Sequence, residues 1–241
     1  MTLPTAQTLY DVIDATWPAA AMIACGPFTL RSGLGGGNRV SAATAIGIAT
    51  DDEIATAASA MRAMKQPALF MIRDTDTALD AQLANLGYEV KDPVTLYAAP
   101  IAAMTTTRPP HKTVFTAWPP LAAQIEIWEE GGIGSGRLAV MERAPMPKTT
   151  LLGRVNDRPA GTTYVGMSHG CAMIHALEVG KAFRRQGLAA HMTRAAAFWA
   201  ADNGADFLAL VTTRVNVGAN ALYTSLGMSV VGHYHYRIQP K

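Results

Sequence analysis

The segment from His175 to Ala200, HALEVGKAFRRQGLAAHMTRAAAFWA, limits the possible folds more than any other. It opens on an apolar run that ends at Val179 and reads as a buried strand. A loop with Lys181, Arg184 and Arg185 follows, and Gly187 opens a helix whose apolar positions Leu188, Met192, Ala195 and Trp199 keep helical spacing. A helix start behind a glycine turn presents unpaired N–H groups and the positive end of the helix dipole. Gly187 lets backbone come close to a ligand, Ala189 keeps the next turn small, and the arginines add charged donors. The loop is therefore suited to a phosphate.

The elements around it read in order. Leu121–Trp128 is helical, the glycine-rich GGIGSG (Gly131–Gly136) breaks it, and Arg137–Arg143 is a second helix. Thr149–Val155, Ala160–Met167 and Ala172–Val179 read as strands, the first two joined by an Asn156-Asp157 turn. After the helix Leu188–Ala201 come the strand Phe207–Val211, the helix Ala219–Leu226 and two strands, Met228–Val231 and His233–Ile238. The class is α/β, a mixed central sheet flanked by helices.

The Pro/Thr-rich stretch Pro100–Pro110 is the candidate linker. Residues 1–110 hold 7 Lys/Arg against 10 Asp/Glu, and residues 111–241 hold 13 against 8, so an anionic ligand belongs to the second half. The halves also rhyme. Asp80–Pro100 (DAQLANLGYEV, then TLYAAP) and Asn220–Pro240 (NALYTSLGMSV, then YHYRIQP) each read as a helix stopped by glycine, then a pair of strands, which suggests an internal duplication.

Composition removes several classes. At 241 residues, 49% hydrophobic and 16% charged, the chain can bury a core and is not disordered. A net charge of +2 is far from that of a dedicated nucleic-acid binder. Two cysteines, Cys25 and Cys171, build neither a disulfide scaffold nor a thiolate zinc site and suit a reducing cytoplasm. The start lacks a basic n-region, and the apolar stretch Ala19–Cys25 is too short for a bilayer, so a cytoplasmic protein without membrane attachment is expected. No HExxH, CxxC or Walker loop occurs, and no metal is expected. The cluster Gly33–Gly37 lacks the following helix of a dinucleotide site and reads as a turn between strands Phe28–Arg31 and Val40–Ala45. Ser168-His169 lacks the elbow of a hydrolase.

Arg184-Arg185-Gln186-Gly187-Leu188-Ala189 resembles the Q/R-x-x-G-x-G/A signature of the GCN5-related N-acetyltransferases, the GNAT superfamily. About thirty residues on, Asn216-Val-Gly-Ala-Asn220-Ala-Leu-Tyr223-Thr-Ser-Leu-Gly227-Met resembles that family's second signature, N-x-x-A-x-x-L-Y-x-x-L-G-F, slightly displaced. The resemblance covers residues 112–241. The first half keeps only the LGY ending at Leu86–Tyr88. The resemblance therefore implies two GNAT-like halves: a degenerate one over residues 1–110 that has lost coenzyme binding, and a catalytic one over residues 111–241.

The family implies acetyl-CoA as co-substrate and an amine acceptor. Carried over, Arg184, Arg185, Gln186, Gly187, Leu188, Ala189 and Ala190 cradle the pyrophosphate. Leu177 and Val179 offer backbone groups to the pantetheine and thioester where the strand splays from its neighbour. Asn216 or Asn220 contacts the arm, and Tyr223 protonates the departing thiolate. Such chemistry needs a held amine, donors for the oxyanion and a proton for the sulfur, and no nucleophilic cysteine. For the general base, Glu178, a lone carboxylate in an apolar run, leads, with His175 second; Glu178 reads equally as the partner of a nearby arginine. Strand alternation puts Glu178 with Ala176 on one face and His175, Leu177 and Val179 on the other. Glu126, Glu129 and Glu130 and the GGIGSG break line the acceptor side either as an attractive wall and lid or as a solvated face. The rival readings are a coenzyme A-binding module without turnover, and an acyltransferase with a longer acyl group or an oxygen acceptor. A monomer and a homodimer are both compatible with the sequence.

Overall fold

The computed structural model describes residues 2–240. The first half holds α1 (Ala6–Thr16), β1 (Ala21–Cys25), β2 (Phe28–Ser32), β3 (Thr44–Ala45), α2 (Asp51–Ala63), β4 (Leu69–Arg73), α3 (Thr77–Asn85) and β5 (Glu89–Pro100). A one-turn helix, α4 (Ile101–Met104), leads to β6 (Val114–Ala117), α5 (Ala122–Glu130), α6 (Ser135–Arg143), β7 (Lys148–Val155), β8 (Arg158–Ser168) and β9 (Cys171–Val179). The chain ends with α7 (Leu188–Asp202), β10 (Phe207–Thr213), α8 (Val217–Ser225) and β11 (Ser229–Ile238).

The mixed sheet expected from the sequence runs through both halves, in the order β4-β11-β5-β10-β9-β8-β7-β6. Its neighbours are antiparallel except β9 and β10, which run parallel. The halves exchange strands at its centre. β11 lies between β4 and β5, and β5 lies between β11 and β10. Pairing runs from Ser229 opposite Ala98 to Ile238 opposite Glu89, while Phe207 faces Pro100 and Tyr234 faces Arg73. The two helix-glycine turns are built alike: Gly87 and Gly227 share φ of 81°, and the amides of Tyr88 and Met228 bond back to the carbonyls of Leu83 and Tyr223.

Helices cover both faces, because each strand buries alternate residues on each side. Leu208, Leu210, Tyr97 and Ala99 face α7 and α4, whereas Ala209, Leu96, Ala98, Tyr234 and Tyr236 face α1. α5 and α6 extend the α1 layer through Trp128, Val140 and Met141, which pack with Trp17 and Tyr164. α2 and α3 cover β4 and β2 around Phe28, Phe70 and Leu83. A separate small sheet, β1-β2-β3, completes the first half.

Several elements differ from the sequence reading. Each final strand pair is one strand: β5 continues through Pro93 with an extra residue between Lys91 and Val94, and β11 carries one between Val230 and Gly232 where two strands were expected. Gly232 marks close approach, since a Cβ there would lie 2.7 Å from Ala6 Cβ. Within Pro100–Pro110, Ile101 and Met104 are buried in the α7-side core, so that part is not free linker. Of the strand expected over Val40–Ala45 only Thr44–Ala45 forms, preceded by one 3₁₀ turn at Asn38–Val40. The glycine loop Gly33–Gly37 packs on α6 instead of closing a simple turn: a Cβ on Gly36 would lie 2.5 Å from Val140 Cγ2, and one on Gly136 would lie 2.5 Å from the Gly35 carbonyl oxygen. That contact also holds the GGIGSG break in place.

The exchange makes each half the partner of the other's open edge. Residues 111–241 expressed alone should lack cooperative unfolding, because β10 and β11 lose the strand between them. Co-expression with residues 1–110 should restore a soluble complex with one thermal transition, as read by calorimetry. A cooperative, fully folded 111–241 fragment would show that the exchange is dispensable.

Candidate functional site

The site forms where β9 and β10 separate. Their parallel pairing spans Phe207–Leu210 against Cys171–Ile174 and then stops. The cause lies in β9 at Ala176, whose φ of +51° places a left-handed residue inside the strand, and the register with β8 shifts between Thr162 and Tyr164. Trp128 Nε1 donates to the freed Ala176 carbonyl at 2.7 Å, and Thr163 Oγ1 donates to the His175 carbonyl at 2.9 Å.

This bulge corrects the expected alternation. His175 lies on the α1 face, its ring stacked on Trp17 at 5.0 Å, and Ala176 packs in the same layer. Glu178 also points to that side, since a Cβ on Gly131 would meet its Cγ at 2.7 Å. Leu177 and Val179 face α7. His175 thus joins Ala176 and Glu178, because the extra residue resets the pleat.

On the α7 side the gap opens into a cleft of about 610 Å³. Its walls include Leu177, Glu178, Val179, Arg184, Arg185, Gly187, Leu188, Ala189, Ala190, Asn216 and Tyr223, so the cleft brings together all but two of the sequence-derived candidates. The exceptions are Gln186, whose amide donates to Ala182 O, and Asn220. Asn220 is fully engaged: its Nδ2 donates to the carbonyls of Thr213 and Asn216, and its Oδ1 accepts from the Tyr97 hydroxyl at 3.0 Å. Asn216 caps α8 through Oδ1, at 3.1 Å from the Ala219 amide, and lines the cleft.

The start of α7 differs from its counterpart before β4. Gly187 is its N-cap at φ +81° and supplies no side-chain cap. The amides of the first turn therefore face the cleft without a side-chain acceptor, as a phosphate requires. In α2, by contrast, Thr50 and Glu53 close a capping box, and Asp51, Asp52 and Glu53 all lie in the first turn. Three carboxylates there repel an anion.

Glu178 is two-tenths exposed, and its Oε1 accepts from Arg184 at 2.9 Å. Arg184 also donates from Nε to the Val179 carbonyl, which fixes the loop against the strand end. His175 is fully buried: Arg39 donates to its Nδ1 at 2.9 Å, so Nε2 carries the proton and donates to Thr16 Oγ1 at 2.8 Å. Burial and then the Arg39 charge push its pKa well below the ordinary histidine value, so it stays neutral. Both nitrogens are occupied, which removes it as a proton acceptor. Tyr223 lines the cleft with its ring 5.8 Å from Tyr97, and burial pushes its pKa up to about 12.

A second cavity of about 270 Å³ lies across the gap and shares Ala176, Val211 and Thr212 with the cleft. Trp17, Arg39, Asp92, Arg137, Tyr234 and Tyr236 line it, so both halves contribute. Glu126 and Glu129 line neither cavity, and Glu130 alone of the three faces a groove beside Lys181 that adjoins the cleft at Glu178 and Arg184, so an acidic wall of all three does not form. Sequence reasoning missed Arg39 and Arg137. Their one local signal is a nearby glycine, Gly37 two positions before Arg39 and Gly136 directly before Arg137. Among the described residues no group of three His, Cys, Asp or Glu is placed to hold a metal ion, and no helix is long and apolar enough to cross a membrane.

The buried Tyr223 hydroxyl has a sign that can be tested. Unfolded tyrosine loses its proton near pH ~10, the folded one near pH 12, so the native state is favoured below pH 10 and loses that advantage as pH rises through 12. In an ultraviolet titration, comparison with Tyr223→Phe should show that Tyr223 contributes no tyrosinate signal near pH ~10. An early signal from a folded chain would mean the hydroxyl is solvated.

Residues 115–228 match the acetyltransferase (GNAT) family. A GCN5-related N-acetyltransferase from Kribbella flavida superposes with a TM-score of 0.76 at 19% identity, over 100% of this chain and 97% of that one. A functionally unknown conserved protein from Staphylococcus epidermidis superposes at 0.68 with 12% identity, over 94% and 96%. A tandem GNAT protein from the clavulanic acid biosynthesis pathway gives 0.60 at 12% identity, over 83% and 76%. These likenesses show a shared fold. No curated protein matches the sequence. The second half of the chain thus carries a domain of the GNAT family, whose members are generally acyltransferases, over residues 115–228.

Proposed function

We propose that the protein is an N-acetyltransferase that moves the acetyl group of acetyl-CoA to a primary amine of a small molecule or peptide by direct attack in a ternary complex. One observation carries this reading: a single gap between β9 and β10 joins a phosphate-suited loop to a second cavity across the sheet. The pyrophosphate would rest on the loop from Arg184 to Ala190, with the pantetheine arm along Leu177, Val179 and Asn216. Asn220 would act indirectly, by tying the turn between β10 and α8 to Tyr97.

The amine enters from the second cavity and attacks the thioester carbonyl. The C–N bond forms, the C–S bond breaks, and the amine releases one proton. Glu178 is the carboxylate on the strand beside the thioester, and it takes that proton through an intervening water. Tyr223, in the cleft wall, would face the sulfur. With its pKa near 12 against about 8.5 for a thiol, outright proton transfer to the thiolate is uphill, so its role is to hold the departing charge by a hydrogen bond.

Residues 1–110 are read as a GNAT-like domain without coenzyme and residues 111–241 as the catalytic one. The matching glycine turns support the common pattern, and the acidic, capped start of α2 supports the loss of an anion site.

Calorimetric titration of acetyl-CoA tests the reading. The parent should bind, and Gly187→Asp, which puts a carboxylate at the helix start, should lose at least about a hundredfold in affinity with an unchanged circular dichroism spectrum. Absence of binding by the parent would overturn the proposal. Tyr223→Phe should lower kcat about a hundredfold with acetyl-CoA affinity kept within a few-fold. Glu178→Gln should lower kcat by a similar factor. Coenzyme binding without turnover of any amine would favour the binding-module reading.

A further inference from the structure

We propose that the cavity across the gap takes a small amine carrying an anionic group, a carboxylate or a phosphate, which Arg39 and Arg137 hold while the amine points at the gap. This rests on the acyl-transfer reading for the reaction, though the charge recognition stands on its own geometry.

Arg39 and Arg137 are half-buried in the cavity wall, one from each half of the chain. Among the described residues neither forms an ion pair. Arg39 is held in place without being neutralised: it donates to the uncharged His175, and its guanidinium lies 5.5 Å from the Trp17 ring centre. The Arg137 guanidinium makes no hydrogen bond within the protein among the described residues, yet the backbone at Gly37 approaches it so closely that a Cβ there would sit 3.3 Å from its Nε. Burial and then the neighbouring Arg39 charge push its pKa down from the usual arginine value, the sign of two like charges sharing one pocket. The one carboxylate in the wall, Asp92, is exposed at the rim and accepts from Asn38 Nδ2 at 2.9 Å.

Two partly desolvated guanidiniums without a protein counter-ion are costly unless a ligand supplies the anion. Guanidinium suits carboxylate and phosphate because its planar fork can donate two bonds at once. The amine must reach Ala176, Val211 and Thr212, the residues the two cavities share. A ligand anchored by its anion and reacting at its amine meets both demands. The volume of about 270 Å³ lies just below the ~300–1,000 Å³ of drug-sized sites, which favours a molecule of amino-acid size over a peptide.

The test measures acetyl-CoA-dependent thiol release by the full chain with matched amines: β-alanine and the common L-amino acids, their amides, O-phosphoethanolamine, and the uncharged ethanolamine and propylamine. In parallel, thermal stabilisation by the same compounds is read without acetyl-CoA. An acid should exceed its amide in kcat/KM by about tenfold to a hundredfold, and β-alanine against O-phosphoethanolamine separates carboxylate from phosphate. Arg137→Gln should collapse that preference to within a few-fold, through the amine's KM and with the KM of acetyl-CoA unmoved, while Arg137→Lys keeps part of it. Preference for uncharged amines, or a preference for acids that Arg137→Gln leaves intact, overturns the inference and leaves acyl transfer standing. Stabilisation by acids that Arg137→Gln abolishes, with no turnover of any amine, supports the charge recognition and overturns acyl transfer. Neither turnover nor stabilisation overturns both.

Discussion

The antiparallel pairing of β5 with β11 is the interaction on which the rest of the structure depends. Each strand belongs to one half of the chain, and each fills the space beside the other half's penultimate strand. A strand at an open edge leaves a row of N–H and C=O groups unpaired, so neither half satisfies its backbone alone. The exchange also sets the position of β10, since β5 pairs with it from Phe207 to Thr213, well past the point where β9 has let go at Leu210. The free length of β10 beyond Leu210 is thus held from one side only. A gap can stay open in the middle of a sheet because the first half braces the strand that borders it.

The opposite lip of the gap depends on Ala176. A non-glycine residue at φ +51° is uncommon and costs strain, so it persists only where its surroundings enforce it. Trp128, itself buried, donates to the Ala176 carbonyl from the α5 layer, and Tyr164 and Trp17 close around the neighbouring His175 ring. The bulge turns His175 into the core of the α1 side, where its two nitrogens join Arg39 to Thr16. One backbone irregularity thereby separates the strands, aims Glu178 away from Leu177 and Val179, and anchors an arginine from the first half beside the gap.

What could be read from the sequence was what is local. The strand, basic loop and helix from His175 to Ala200 follow from hydrophobic spacing, a glycine and two arginines, and the helix-glycine turns at Gly87 and Gly227 announce themselves equally well. The strand exchange was not legible, because pairing partners far apart in the chain leave no mark on either strand: β5 reads the same beside β4 as beside β11. Nor was the bulge, since alanine gives no hint of a left-handed φ where glycine or asparagine would. The uncertainty between Asn216 and Asn220 came from displaced spacing, and only the three-dimensional hydrogen bonds show that Asn220 is occupied while Asn216 faces the cleft. Beyond the glycines near them nothing in the sequence marks Arg39 and Arg137, because their shared burial arises from a contact between halves.

That contact explains why two loops so rich in glycine occur in one chain. Gly36 and Gly136 are places where any side chain would collide with the other half: with Val140 in one case and with the Gly35 backbone in the other. Close backbone approach here brings the loop before Arg39 against the start of α6, one residue before Arg137. Replacing either glycine by a larger residue would push the loops apart and widen the cavity between the two guanidiniums. The glycines of the first half therefore have a positional role even though no nucleotide fingerprint surrounds them. They let two charges from opposite halves of the chain line one cavity.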